Sequence, residues 1–110
     1  MKVMQNGAVI ADRVSIADGF LKRLKGLMGK KTLRKGEGLL LENCSCIHTC
    51  FMRFAIDVVY FSKEYKVLYV ETLPPWRVGR IVKGTKNILE LPAHSAAGLA
   101  VGEACTIEGA

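Results

Sequence analysis

Apolar and polar positions along this chain follow two periods, one of two residues and one of the helix. From Ala8 to Ser15 they mix in short strand-like alternation, and Ser15 followed by Asp18 fits a helix-capping box. That pattern predicts a helix from about Ser15 to Gly26. Phe20, Leu21, Leu24, Leu27 and Met28 recur at the spacing of a single apolar face, and Lys22, Arg23 and Lys25 point away from it. Gly26 and Gly29 weaken the helix end, and the segment from Lys30 to Gly38, rich in Lys, Arg and Gly, reads as a loop.

Beyond that loop the shorter period takes over. Leu39 to Glu42, Ile56 to Phe61 and Val67 to Thr72 read as strands, and the polar turn Ser62-Lys63-Glu64 makes a hairpin of the last two. Pro74-Pro75-Trp76 marks an extended crossover, because the prolines have no N–H to give a ladder. Strand character resumes from Asn87 to Leu91 and ends at Pro92. Ala93 to Ala100 is one helical turn or a loop, and Glu103 to Glu108 is a closing strand. The pattern as a whole predicts a mainly β fold, a helix covering an antiparallel core.

Length and composition bound this picture. With 110 residues, 50% apolar and 24% charged, the chain is sized for one domain over residues 1–110 with a packed core. No leading apolar run reads as a secretory signal, and the longest apolar stretches are strand-sized, so no membrane span is expected. A reducing cytoplasm is the expected compartment, where Cys44, Cys46, Cys50 and Cys105 stay thiols. The net charge of +6 is uneven. Lys22, Arg23, Lys25, Lys30, Lys31, Arg34 and Lys35 form one acid-free run, and Arg77, Arg80, Lys83 and Lys86 form a second. Basic surfaces of this kind suit an anionic small molecule or an acidic protein surface. Nucleic acid has little support, since Trp76 alone could serve either run as a stacking platform.

Candidate chemistry gathers in Cys44-Ser45-Cys46-Ile47-His48-Thr49-Cys50, which sets three thiols and an imidazole at every second position. Zinc ligands must converge within ~2.0–2.3 Å of one ion, whereas a straight strand would separate Cys44 from Cys50 by roughly 20 Å. Paired Cys-x-x-Cys knuckles are missing too, so no metal and no other cofactor is expected. Cys44, His48 and Asp57 supply the residue types of a thiol nucleophile, a base and an orienting carboxylate, and a small thiol- and histidine-dependent hydrolase is the alternative they define. Asp57 lies inside the apolar run from Phe54 to Phe61, where a buried carboxylate needs a donor; Arg53 and His48 are the candidates.

These residues carry a family resemblance. Gly26-Leu27-Met28, Gly36-Glu37-Gly38-Leu39-Leu40, Cys44, Ile47-His48-Thr49, Phe51-Met52-Arg53-Phe54, Ile56 to Phe61, Leu73 to Arg77 and Leu89-Glu90-Leu91 resemble, in order, the bacterial and archaeal family called domain of unknown function 192. The resemblance implies a compact, mostly antiparallel β-barrel or sandwich with one flanking amphipathic helix, and it implies no reaction. It marks His48, Thr49, Met52, Arg53 and Asp57. His94 departs from the pattern, standing where a glycine is usual, and Glu103 replaces an aspartate; the turn near His94 is expected to differ. Cys46 and Cys50 are outside the pattern. The expected function is a non-catalytic ligand- or protein-binding module with a patch of His48, Thr49, Met52, Arg53 and Asp57. Beside it would lie a basic surface of Lys22, Arg23, Lys25, Arg77 and Arg80.

Overall fold

Strand-forming runs become eight strands in the computed structural model, which describes residues 1–17, 19, 27–28 and 30–109. They are β1 (Lys2–Gln5), β2 (Ala8–Ala11), β3 (Arg13–Ala17), β4 (Glu37–Glu42), β5 (Ile56–Phe61), β6 (Val67–Leu73), β7 (Asn87–Pro92) and β8 (Thr106–Glu108). A three-stranded sheet has the order β2-β1-β8 and a five-stranded sheet the order β3-β4-β7-β5-β6. The expected hairpin is β5–β6, with Ile56 opposite Leu73 and Tyr60 opposite Tyr69.

Every residue of β5 is buried, which requires cover on both faces of the large sheet. On one face Leu40, Val59, Phe61, Leu89 and Leu91 join Val3 and Ala11 of the small sheet in a shared core. On the other, Ile56, Val58, Tyr60 and Ile88 meet Leu27, Leu33, Ile47 and Met52. The second core puts the loop 43–55 directly over the sheet.

Three expectations change. Ser15, Ile16 and Ala17 belong to β3 rather than to a helix, because they pair residue by residue with Leu39, Leu40 and Leu41. A five-residue ladder outweighs a local cap signal. Apart from Gly19, which lies in a bend, the rest of the expected helix, with Phe20, Leu21, Leu24 and the cations Lys22, Arg23 and Lys25, lies outside the described residues. The β3–β4 pair is parallel, which the long connection between the two strands permits, so the large sheet is mixed at that edge while its other pairings are antiparallel. Finally, among the described residues the strands form two sheets and no closed barrel.

Candidate functional site

Two loops cross over the Tyr60 face of the sheet, and Thr49 is the knot. Fully buried, it donates from Oγ1 to the Pro74 carbonyl at 2.7 Å and accepts from the Arg77 amide at 2.8 Å. Its own amide donates to the Arg77 carbonyl at 2.8 Å, and its carbonyl accepts from the Trp76 amide at 3.0 Å. The seam continues through a His48–Val78 bridge and a bond from the Gly79 amide to the Ile47 carbonyl. Gly79 is required there: a Cβ would collide with the Tyr60 hydroxyl and the Ile47 side chain. Buried Met52 anchors the first loop in the core beneath.

This clamp holds up an aromatic pair. Phe51 and Trp76 both take left-handed backbone, at φ 66° and 64°, and their rings meet at 4.7 Å. For bulky residues that conformation costs on the order of 1–3 kcal/mol and survives only where the surroundings impose it. Both side chains stay in solvent, 65% and 58% exposed. In the same two loops Arg53, Arg77 and Arg80 are exposed; Lys83 and Lys86, also exposed, follow toward the other end of the sheet, where the Lys86 amide donates to the Phe61 carbonyl, and among the described residues none of the five forms an ion pair. Neither 43–56 nor 72–89 contains a carboxylate. Arg80 lies over the Tyr69 ring at 5.3 Å, while its amide donates to Glu71 Oε2 at 2.9 Å. Tyr60 donates its hydroxyl to the same oxygen; burial, then this bond, holds its pKa well above the usual phenol range.

The other expected site residues are dispersed. His48 is half-buried, and its Nδ1 accepts from the Cys50 amide at 3.2 Å. Cys44 donates its thiol to the Cys46 carbonyl at 3.1 Å. Asp57 is 2% exposed, but its donors are neither Arg53 nor His48. Oδ1 accepts from the Thr72 hydroxyl at 2.6 Å and Oδ2 from the Ala96 amide at 2.9 Å. Alternation along β5 puts Asp57 on the face of Val59 and Phe61, so the sheet separates it from Met52 and Ile47. It ties down the turn 93–100, which Gln5 also holds through the Ala100 amide and carbonyl. Cys44, His48 and Asp57 are therefore not assembled as a triad. None of the four cysteines is disulfide-bonded, and burial pushes the Cys105 thiol up to about 11. Among the described residues no three His, Cys, Asp or Glu side chains gather as a metal site.

Sequence reasoning passed over Glu90. It pairs with Leu39 and Val58 on the Ile88 face, is 2% exposed, and leaves Oε1 with no hydrogen-bond partner. Burial pushes its pKa up to about 8. The signal was the one that picked out Asp57, a carboxylate within an apolar run, here Ile88-Leu89-Glu90-Leu91. Two shallow pockets lie elsewhere. One of about 190 Å³ is lined by Asn43, Cys44, Ser45, Thr85 and Lys86; one of about 240 Å³ lies along Val9 to Arg13 with Lys35 and Gly36. Both fall below the ~300 Å³ at which small-molecule sites begin.

The comparisons with known proteins agree with this architecture. The model of the DUF192 family, described as an uncharacterized ACR, matches residues 1–108. A UPF0127 protein of Pyrococcus horikoshii is 45% identical over 83 residues, 72% of this chain and 71% of that protein. A UPF0127 protein of Thermococcus sibiricus is 33% identical over 90 residues; the match covers 78% of this chain and 58% of that protein. A crystal structure of a protein of unknown function from Novosphingobium aromaticivorans superposes with a TM-score of 0.83 at 17% identity, covering 96% of this chain and 82% of that one.

Proposed function

The chain belongs to the DUF192 family, and from that premise we propose that it is a non-catalytic binding module, working in the cytoplasm, whose binding face is the crossing of the loops 43–55 and 74–83. One observation carries the reading: an exposed Phe51–Trp76 pair, in backbone geometry that costs energy, shares its loops with Arg53, Arg77 and Arg80, which form no ion pair among the described residues. Scattered exposed apolar residues need no explanation, but a strained and contiguous aromatic pair does. Arg53, Arg77 and Arg80 supply attraction, Phe51 and Trp76 supply contact area, and Thr49, Met52 and His48 shape the loops. Asp57 supports the fold from the far side of the sheet.

Charge alone suits an anionic small molecule or an acidic protein surface; the aromatic pair adds that the partner has an apolar part. Retention on a sulfated polysaccharide matrix tests the reading. Replacing Arg53, Arg77 and Arg80 together by alanine is expected to bring elution to markedly lower salt. Replacing Lys30, Lys31 and Lys63, which removes the same charge elsewhere, is expected to have a much smaller effect. Equal shifts from both triple variants would mean that only net charge matters and would end the case for this face.

A further inference from the structure

We infer that the partner of this face is the surface of an anionic lipid bilayer, an inference that rests on the binding-module reading above. The apolar content of the face exceeds its aromatic pair. Val78, bridged to His48, is 73% exposed, and Ile81, two residues past the buried Gly79, is 76% exposed. Phe51, Trp76, Val78 and Ile81 thus crown two loops sewn together by Thr49 and Gly79, each with more than half of its surface in solvent. Protruding side chains on a rigid base enter a soft interface without needing a shaped receptor. Tryptophan suits that depth, where its ring sits in the acyl boundary and its N–H among headgroups.

The charges fit the same occupant. Arg53, Arg77 and Arg80 stand beside these apolar residues in the two loops, lack ion-pair partners among the described residues, and carry long stems that let each cation reach outward to phosphate and carboxylate headgroups. Glu71, at the rim, is already engaged by the Tyr60 hydroxyl and the Arg80 amide. An acidic protein would satisfy the cations but would also need a pocket for each projecting apolar group. Lipid needs none. Among the described residues no helix is long and apolar enough to cross a membrane, so the contact is peripheral docking by loops.

The chain has a single tryptophan, Trp76, so its fluorescence reports this face alone. The test mixes the intact chain with vesicles of phosphatidylcholine and phosphatidylserine at roughly 2:1, and with phosphatidylcholine alone. Binding is expected to be roughly tenfold or more stronger to the anionic vesicles, with a blue shift of Trp76 emission and quenching by brominated acyl chains. Val78→Ser with Ile81→Ser, both exposed positions, is expected to weaken vesicle binding severalfold and to move elution from the sulfated matrix far less than the triple arginine replacement does. If matrix retention depends on the arginines but vesicles leave Trp76 unshifted, the face takes a soluble partner and the lipid inference falls while the binding-module reading stands. A Trp76 shift with polyglutamate and none with vesicles assigns an acidic protein instead. Failure of both arms removes both readings.

Discussion

His94 shows how far one backbone angle constrains one residue. The family resemblance puts glycine at this position, and the structure explains the preference: His94 holds φ 70° in the turn after β7. The backbone here lies in the left-handed region that glycine enters freely, and the exposed histidine carries the strain. His94→Gly is expected to raise stability by about 0.5–1 kcal/mol, the strain relieved less the added freedom of the unfolded chain; a lower denaturation midpoint would show that the imidazole contributes contacts of its own. Asp57 holds the same turn through the Ala96 amide. Asp57→Asn turns one of its two acceptors into a donor facing a donor, and denaturant unfolding is expected to show a loss of about 1–3 kcal/mol. Glu90 gives the opposite sign. In the unfolded chain it ionises near 4.5, and in the fold burial holds the proton up to about 8. Below the lower value both states are protonated and nothing is lost. Between the two, the unfolded state alone gives up its proton, and stability falls by about 1.4 kcal/mol per pH unit until the folded group also ionises. Glu90→Gln should flatten that decline, leaving the variant further ahead of the parent at pH ~8 than at pH ~5. Parallel profiles would mean that Glu90 is ionised or solvated in the fold.

At the scale of elements, the crossed loops depend on one hydroxyl. Thr49→Val keeps the shape but strands the Arg77 amide and the Pro74 carbonyl, so a cost of about 1–3 kcal/mol is expected, with easier acrylamide quenching of Trp76 as the second loop loosens. Unchanged quenching would assign the clamp to the backbone bonds alone. How much of this was legible in sequence varies with the interaction that fixes each element. β5, β6 and β7 were read to within a residue, because their apolar runs are short and bounded by turn residues. β1 was not read, although Asn6-Gly7, at φ 51° and 80°, is the two-residue turn that joins it to β2. β3 was misread because its partner, β4, lies some twenty residues on. A local cap signal cannot report a ladder formed at that distance. For the site, the residues around Thr49 were marked, but their grouping was not. Asp57 shares a segment with Arg53 yet faces the opposite core, and Phe51 meets Trp76 only because both turn left-handed, which no hydrophobic period records.

For the whole molecule, the decisive fact is that both cores are built on the same strands. β5 gives Val59 and Phe61 to one core and Ile56, Val58 and Tyr60 to the other; β7 gives Leu89 and Leu91 to the first and Ile88 to the second. The Cα radius of gyration, 12.4 Å, is near the ~13 Å expected of one compact body of this length. A perturbation on one side of the sheet must then be felt on the other, because neither core persists once β5 leaves the ladder. Leu89→Ala opens a cavity against the small sheet, on the face away from Trp76, and is expected to cost about 2–5 kcal/mol. The expected outcome is that far-ultraviolet circular dichroism, which follows the strands, and Trp76 fluorescence, which follows the crossed loops, show one coincident transition that moves by the same amount in the variant. Displacement of the strand signal alone, with Trp76 unfolding at its former midpoint, would mean that the loops fold as a unit of their own on an indifferent sheet. In that case the binding face and the scaffold would be separable, and the strain held at Phe51 and Trp76 would have to be sustained by the loops themselves rather than by the core beneath.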